Sequence, residues 1–165
     1  MAVTLRDSMK RVSDPRNLDD SVHEVFATML DVECHREAED CDCGEEISGE
    51  SVTAVVGFGG ILSGACVFRT DAAAACYIAA RLAGLDLDIL DDVVKDAIGE
   101  ICNMLAGTWK SKVPDLSAHC GLSVPAVITG RDYRLHVQAP EFKIRRGYRF
   151  DGVRFEVTII CDGLQ

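Results

Sequence analysis

DDVVKDAIGEICNMLAGTWKSK, residues 91–112, decides the fold, because it is the longest run in the chain that keeps a single helical period. At roughly 100° per residue, Val94, Ile98, Ile101 and Leu105 gather on one side as an apolar stripe fit to pack on a core. Asp96, Glu100, Asn103 and Gly107 fall within about 60° of one another on the opposite side. Two acids and an amide are therefore presented together above a small residue. A solvated helix face satisfies the same pattern, and most exposed faces are no more than that. Two features point to a use. Asn is a poorer helix former than the Glu, Lys, Gln or Arg that usually fill such positions. Gly99 and Gly107 each cost roughly 1 kcal/mol relative to Ala unless another element or chain approaches closely. An amide is no general base near neutral pH, but it donates and accepts at once and can hold a water in one orientation.

Outward from this helix the chain divides cleanly. Residues 1–16 are polar, contain Pro15 and read as a flexible lead-in, leaving 17–165 as one domain. A first helix is expected from about Asn17–Asp20 to Val32, with Val22, Phe26, Met29 and Leu30 as its stripe. Ser51–Phe58 and Ile61–Arg69 read as strands around a Gly59-Gly60 hairpin turn. Asp71 and Gly84 bracket an Ala-rich helix as cap and stop. The motif helix should then run from about Asp88 to Lys110, with Pro114 beyond its end. The last third is β-like: SVPAVIT, a short DYRLHVQ, FKIRRGYRF and VRFEVTIIC, with Asp151-Gly152 as a second hairpin signal. In the final strand Val153, Phe155, Val157, Ile159 and Cys161 alternate with polar Arg154, Glu156 and Thr158, the pattern of a sheet covered on one face. The order implies α+β architecture, a mostly antiparallel sheet with long helices packed on one face.

Composition removes several functions. With 17 basic and 27 acidic residues the formal charge is −10, which opposes binding to nucleic acid or an anionic membrane. No run of about 18 apolar residues occurs and the N-terminus lacks an apolar export core, so a cytoplasmic location is expected. Gly57-Phe58-Gly59-Gly60 belongs to a hairpin rather than a phosphate loop. Of the eight cysteines, Cys66, Cys76, Cys102 and Cys161 lie within apolar patterns and read as core thiols. Cys34, His35, Cys41 and Cys43 form a soft-ligand cluster in a polar loop, but their spacing matches no common zinc module, so no bound metal is expected.

The spacing Asp96-x3-Glu100-x2-Asn103 resembles the D/S-x3-E-x2-N signature of the CheC/CheX/FliY family, bacterial phosphatases that act on the phosphorylated response regulator CheY. AIGEICNMLAG continues as the family does; CGLSVPAVITG at 120–130 resembles its return to the sheet, and VHEVFATML at 22–30 the first long helix of the CheX branch. The resemblance spans most of residues 18–161 and implies a CheC/CheX-like fold of the kind that can be pseudo-symmetric. It implies a phosphoaspartyl-protein phosphatase in which Asn103 orients the attacking water and Glu100 pairs with the receiver's lysine. Asp96, Gly99 and Gly107 become supporting or partner-binding positions. The phosphorylated receiver brings its own Mg²⁺, so no cofactor is bound by this chain, and the CheX branch implies a homodimer. Asp20-x3-Glu24-x2-Ala27 repeats the motif spacing with a methyl in place of the amide, either a chance match or an internal repeat whose site is silent. Two other readings stay open: a receiver-binding or flagellar-switch module without catalysis, and a thiol or metal sensor using Cys34, Cys41 and Cys43.

Overall fold

An aspartate starts each of the three long helices. Asp14, Asp71 and Asp91 hold extended backbone, and their carboxylates accept from the backbone N–H groups of Arg16, Ala74 and Val94. They supply acceptors that a helix's first turn lacks. The computed structural model describes residues 5–38, 47, 49–136 and 138–164. Its helices are α1 (Leu5–Val12), α2 (Pro15–Leu30), α3 (Ala72–Ala83), α4 (Asp92–Ser111) and α5 (Pro114–His119). Its strands are β1 (His35–Arg36), β2 (Glu50–Gly60), β3 (Leu62–Asp71), β4 (Cys120–Leu122), β5 (Ala126–Arg131), β6 (Phe142–Phe150) and β7 (Val153–Leu164).

The strands form one sheet in the order β1-β6-β7-β3-β2-β4, with β5 also paired to β2, and every pairing is antiparallel. Helices α2, α3 and α4 contact one another and cover one face. Under them Phe26, Phe68, Tyr148 and Phe155 are wholly buried in a core shared by the described residues from Val12 to Cys161. The α+β expectation therefore holds, down to the inward alternation of β7.

Several boundaries move for physical reasons. The lead-in expected over 1–16 contains α1, whose Val12 is wholly buried, so that part of it is an anchored helix. The first long helix begins at Pro15 because Asp14 caps it and proline's fixed φ suits its first position. The strand hairpin is wider than two residues: Phe58 pairs with Gly64, while Gly59 and Gly60 pair with Gly121 and Cys120 of β4. Gly60, at φ 108°, passes so close to His119 that a Cβ would lie 2.3 Å from its carbonyl oxygen. Pro114 opens α5 instead of merely following α4. DYRLHVQ forms no strand among the described residues; Asp132 at φ 54° turns the chain out of β5.

The outward face of β7 also departs from a simply solvated pattern. Glu156 is 7% exposed and receives hydrogen bonds of 2.9 Å from Arg145 and 3.0 Å from Arg154, which also reaches Glu37 at 3.0 Å. Burial raises the Glu156 pKa, but the bonds from Arg145 and Arg154 outweigh it and hold the carboxyl below its ordinary range. A depressed folded-state pKa contributes stability above the unfolded value of about 4.3, and that contribution is lost as pH falls through the folded value. Glu156→Gln should therefore cost about 1–3 kcal/mol at neutral pH. Its deficit against the parent protein should shrink below about pH 4. Urea titrations across pH measure this, and a gap that widens with acid would refute it.

Candidate functional site

Helix α4 places the motif residues through its buried side. Val94, Ile98, Ile101, Leu105 and Trp109 are wholly buried, and the Trp109 ring packs 5.2 Å from that of Phe58 on β2. Directly beside Asn103, the Cys102 thiol lies 3.5 Å from the carbonyl oxygens of Ala54 and Cys66, pinning the helix to β2 and β3. Lys110 donates to the Cys120 carbonyl near the helix's C-terminal end. With rotation and height fixed in this way, Asp96 and Glu100 are exposed and Asn103 is half-buried. Among the described residues, no hydrogen bond or ion pair engages the side chains of these three. Their donors and acceptors therefore stay available among the described residues.

The two glycines divide in role. Gly99 is buried, and a Cβ there would lie 3.3 Å from Pro125 Cβ and 3.4 Å from Val127 Cγ2. Of the two roles expected for Gly99, supporting or partner-binding, the geometry fits support: the close approach that favours glycine comes from this chain's own β4–β5 connection. β4 and β5 both pair with β2, and the break between them at 123–125 lets Pro125 rest on the helix. Gly107 is half-buried, with Leu122 as its nearest neighbour, 3.8 Å from a Cβ built there. Sequence periodicity also missed two apolar shoulders. Val124, 87% exposed, lies next to Pro125, and Val93, 49% exposed, stands on α4 about 60° around from Asp96.

The matching triad on α2 is differently placed. Asp20, Glu24 and Ala27 are exposed on a helix that packs against α4, but Glu24 is engaged by Lys112 just beyond the end of α4. Ala27 offers no hydrogen-bonding group. The two faces thus share spacing, while among the described residues only the α4 face offers an unengaged acid together with an amide.

The thiol cluster is not assembled among the described residues. Cys34 is 2% exposed, and burial pushes its thiol up to about 12, disfavouring the thiolate that binds metals. His35 is exposed, and Cys41 and Cys43 lie outside the described residues. Cys66, Cys76, Cys102 and Cys161 are buried, as their apolar patterns require, and so is Cys120. The hydrogen bond with Cys102, together with burial, holds the Cys66 thiol above its ordinary range.

The chain matches the family model described as chemotaxis phosphatase CheX over residues 52–145, which contain all of α3 and α4. It is 29% identical over 116 residues to the CheY-P phosphatase CheX of Thermotoga maritima, covering 70% of this chain and 74% of that protein. Its fold resembles the crystal structure of CheX from Vibrio vulnificus with a TM-score of 0.74 and 20% identity, covering 91% of this chain and 98% of that one. It also resembles the CheX–CheY–BeF3–Mg²⁺ complex from Borrelia burgdorferi, with a TM-score of 0.67, 21% identity, and 92% and 99% covered. At these identities the two structures speak to the fold. Among the described residues no helix is long and apolar enough to cross a membrane.

Proposed function

The chain belongs to the CheX family of chemotaxis phosphatases, and from that premise we propose that it accelerates hydrolysis of the aspartyl phosphate on a CheY-type receiver domain. The observation that carries this reading is the unengaged pair Glu100 and Asn103 on the exposed face of α4. An exposed helix face is suited to entering another protein's cleft. Mg²⁺ belongs to the receiver and neutralises phosphoryl charge there, so this chain needs only to add geometry.

The Asn103 amide accepts from the attacking water and holds its oxygen in line with phosphorus. As the oxygen–phosphorus bond forms, the bond from phosphorus to the aspartyl oxygen breaks. The receiver's aspartate leaves as a carboxylate and inorganic phosphate is released. Glu100 supplies a charge-assisted contact to the receiver's lysine, fixing the docked register. Asp96 extends the acidic edge of the same face, and Val93 and Val124 cover apolar area beside it on docking. No nucleophilic side chain of this chain takes part. The reading places the protein in the cytoplasm with its receiver and, as the family resemblance implies, in a homodimer, which light scattering would test.

Decay of phosphorylated receiver in Mg²⁺, with and without this protein, is the direct test. Decay curves that overlie the spontaneous one for every receiver of the host would overturn the proposal; receiver binding without acceleration would leave a docking module. Within the proposal, Glu100→Ala should raise the half-saturating receiver concentration about tenfold, the scale of one charge-assisted bond, with a smaller loss in maximal rate. Varying receiver concentration separates the two, and an unchanged half-saturation point would remove Glu100 from docking.

A further inference from the structure

On the sheet face turned away from the helices, the segment after β5 roofs a cleft of about 240 Å³. Its floor includes Val67 and Ile160, 8% and 6% exposed, and its walls carry Arg69, Lys143 and Arg145, with Tyr133 and Arg134 above. The charges do not balance. Glu156 is already claimed by Arg145 and Arg154, and Arg154 shares Glu37 with Arg149. Arg69, Arg134 and Lys143 have no carboxylate partner among the described residues. In a chain of net charge −10, three unpaired cations converging on one cleft mark a place from which acids have been kept.

Arg69 is the most informative of the three. Its guanidinium lies 5.3 Å from the centroid of the Tyr133 ring, and its Nε–H is buried without a hydrogen-bond acceptor. Tyr133 is held in turn by a hydrogen bond with Thr53 and a 3.4 Å bond to the Ile128 carbonyl. The planar donor is therefore oriented before any ligand arrives. A donor left unsatisfied in a native structure calls for an acceptor, and the apolar floor strengthens an ionic contact by excluding water.

We propose that this cleft binds a small phosphate ester, with Arg69, Arg134 and Lys143 around the phosphate and Val67 and Ile160 beneath its carbon portion. Three uncompensated cations favour a dianion over a monocarboxylate. The volume is below the roughly 300–1,000 Å³ typical of sites for larger ligands, which selects a short ester over a nucleotide. This site lies on the opposite side of the sheet from α4 and does not depend on receiver dephosphorylation.

Calorimetric titration of the full chain with glycerol 3-phosphate, inorganic phosphate and succinate tests it. Saturable binding of glycerol 3-phosphate is expected, tighter than that of succinate and weakening as KCl is raised. Arg69→Gln should weaken it at least about tenfold and Lys143→Gln several-fold, the scale of losing one charged hydrogen bond. Because Lys143 is exposed, its variant carries the test even where Arg69→Gln fails to fold. Binding of inorganic phosphate as tight as that of the ester would overturn the role of the apolar floor. No saturable heat at millimolar ester, parental affinity in Lys143→Gln, or a preference for succinate would overturn the site.

Discussion

Asn103→Ala is expected to leave the protein folded and to lower its acceleration of receiver dephosphorylation by about 100-fold, the penalty for misplacing a reacting group. The stability half follows from position. Asn103 is half-buried on α4, engages no hydrogen bond among the described residues, and Ala is the better helix former, so melting should not fall. The catalytic half follows from chemistry. With the amide gone, the attacking water loses the group that orients it, while Glu100 still docks the receiver. Half-saturation should therefore change less than maximal rate, the reverse of the Glu100→Ala pattern. Asn103→Asp keeps the shape and the acceptor oxygen but brings negative charge beside the phosphoryl group, and it should be impaired through that charge. Single-turnover decay of phosphorylated receiver at several protein concentrations reads both quantities. An alanine variant that retains parental turnover would refute the role given to the amide.

The facing of the α4 side chains is legible in the sequence, whereas the setting of the α2 triad is not. Helical period is a local property, so Val94, Ile98, Ile101 and Leu105 determine which way Asp96, Glu100 and Asn103 face, and all four apolar residues are buried. Asp71 announces its helix for the same local reason, whereas α4 is capped by Asp91 and not at the expected start near Asp88. What stayed hidden depends on pairs distant in sequence. Nothing near Gly99 reveals that Pro125 packs against it, and nothing near Glu24 reveals Lys112. Glu156 alternates as an outward residue should, yet arginines from β6 and β7 close over it. The start of α2 is legible in Asp14-Pro15, where a cap is followed by proline at the first helical position, but the polar residues before it look the same in a tail and in an anchored helix.

Phe155→Ala should give the opposite signature, a large loss of stability with turnover per folded molecule preserved. Phe155 is wholly buried, its ring 4.5 Å from Phe26, 5.2 Å from Phe68 and 5.4 Å from Tyr148, so its removal opens a cavity where α2 meets β3, β6 and β7. Such truncations cost about 3–5 kcal/mol. Against a total stability of about 5–15 kcal/mol this is a large share. In a chain of this size the melting point should fall by about 6–20 °C. Tyr148 deepens the effect, because its hydroxyl donates to Asp19 at 2.7 Å and its ring is held by Phe155. The site helix has separate anchors, Trp109 on Phe58 and Cys102 against the carbonyls of β2 and β3. At low temperature, where the variant remains folded, the α4 face should therefore still act. Thermal melts monitored by circular dichroism, paired with receiver dephosphorylation at low temperature, separate the two effects. Loss of turnover in fully folded Phe155→Ala would mean that the geometry of Glu100 and Asn103 depends on the whole aromatic core rather than on the local seating of α4.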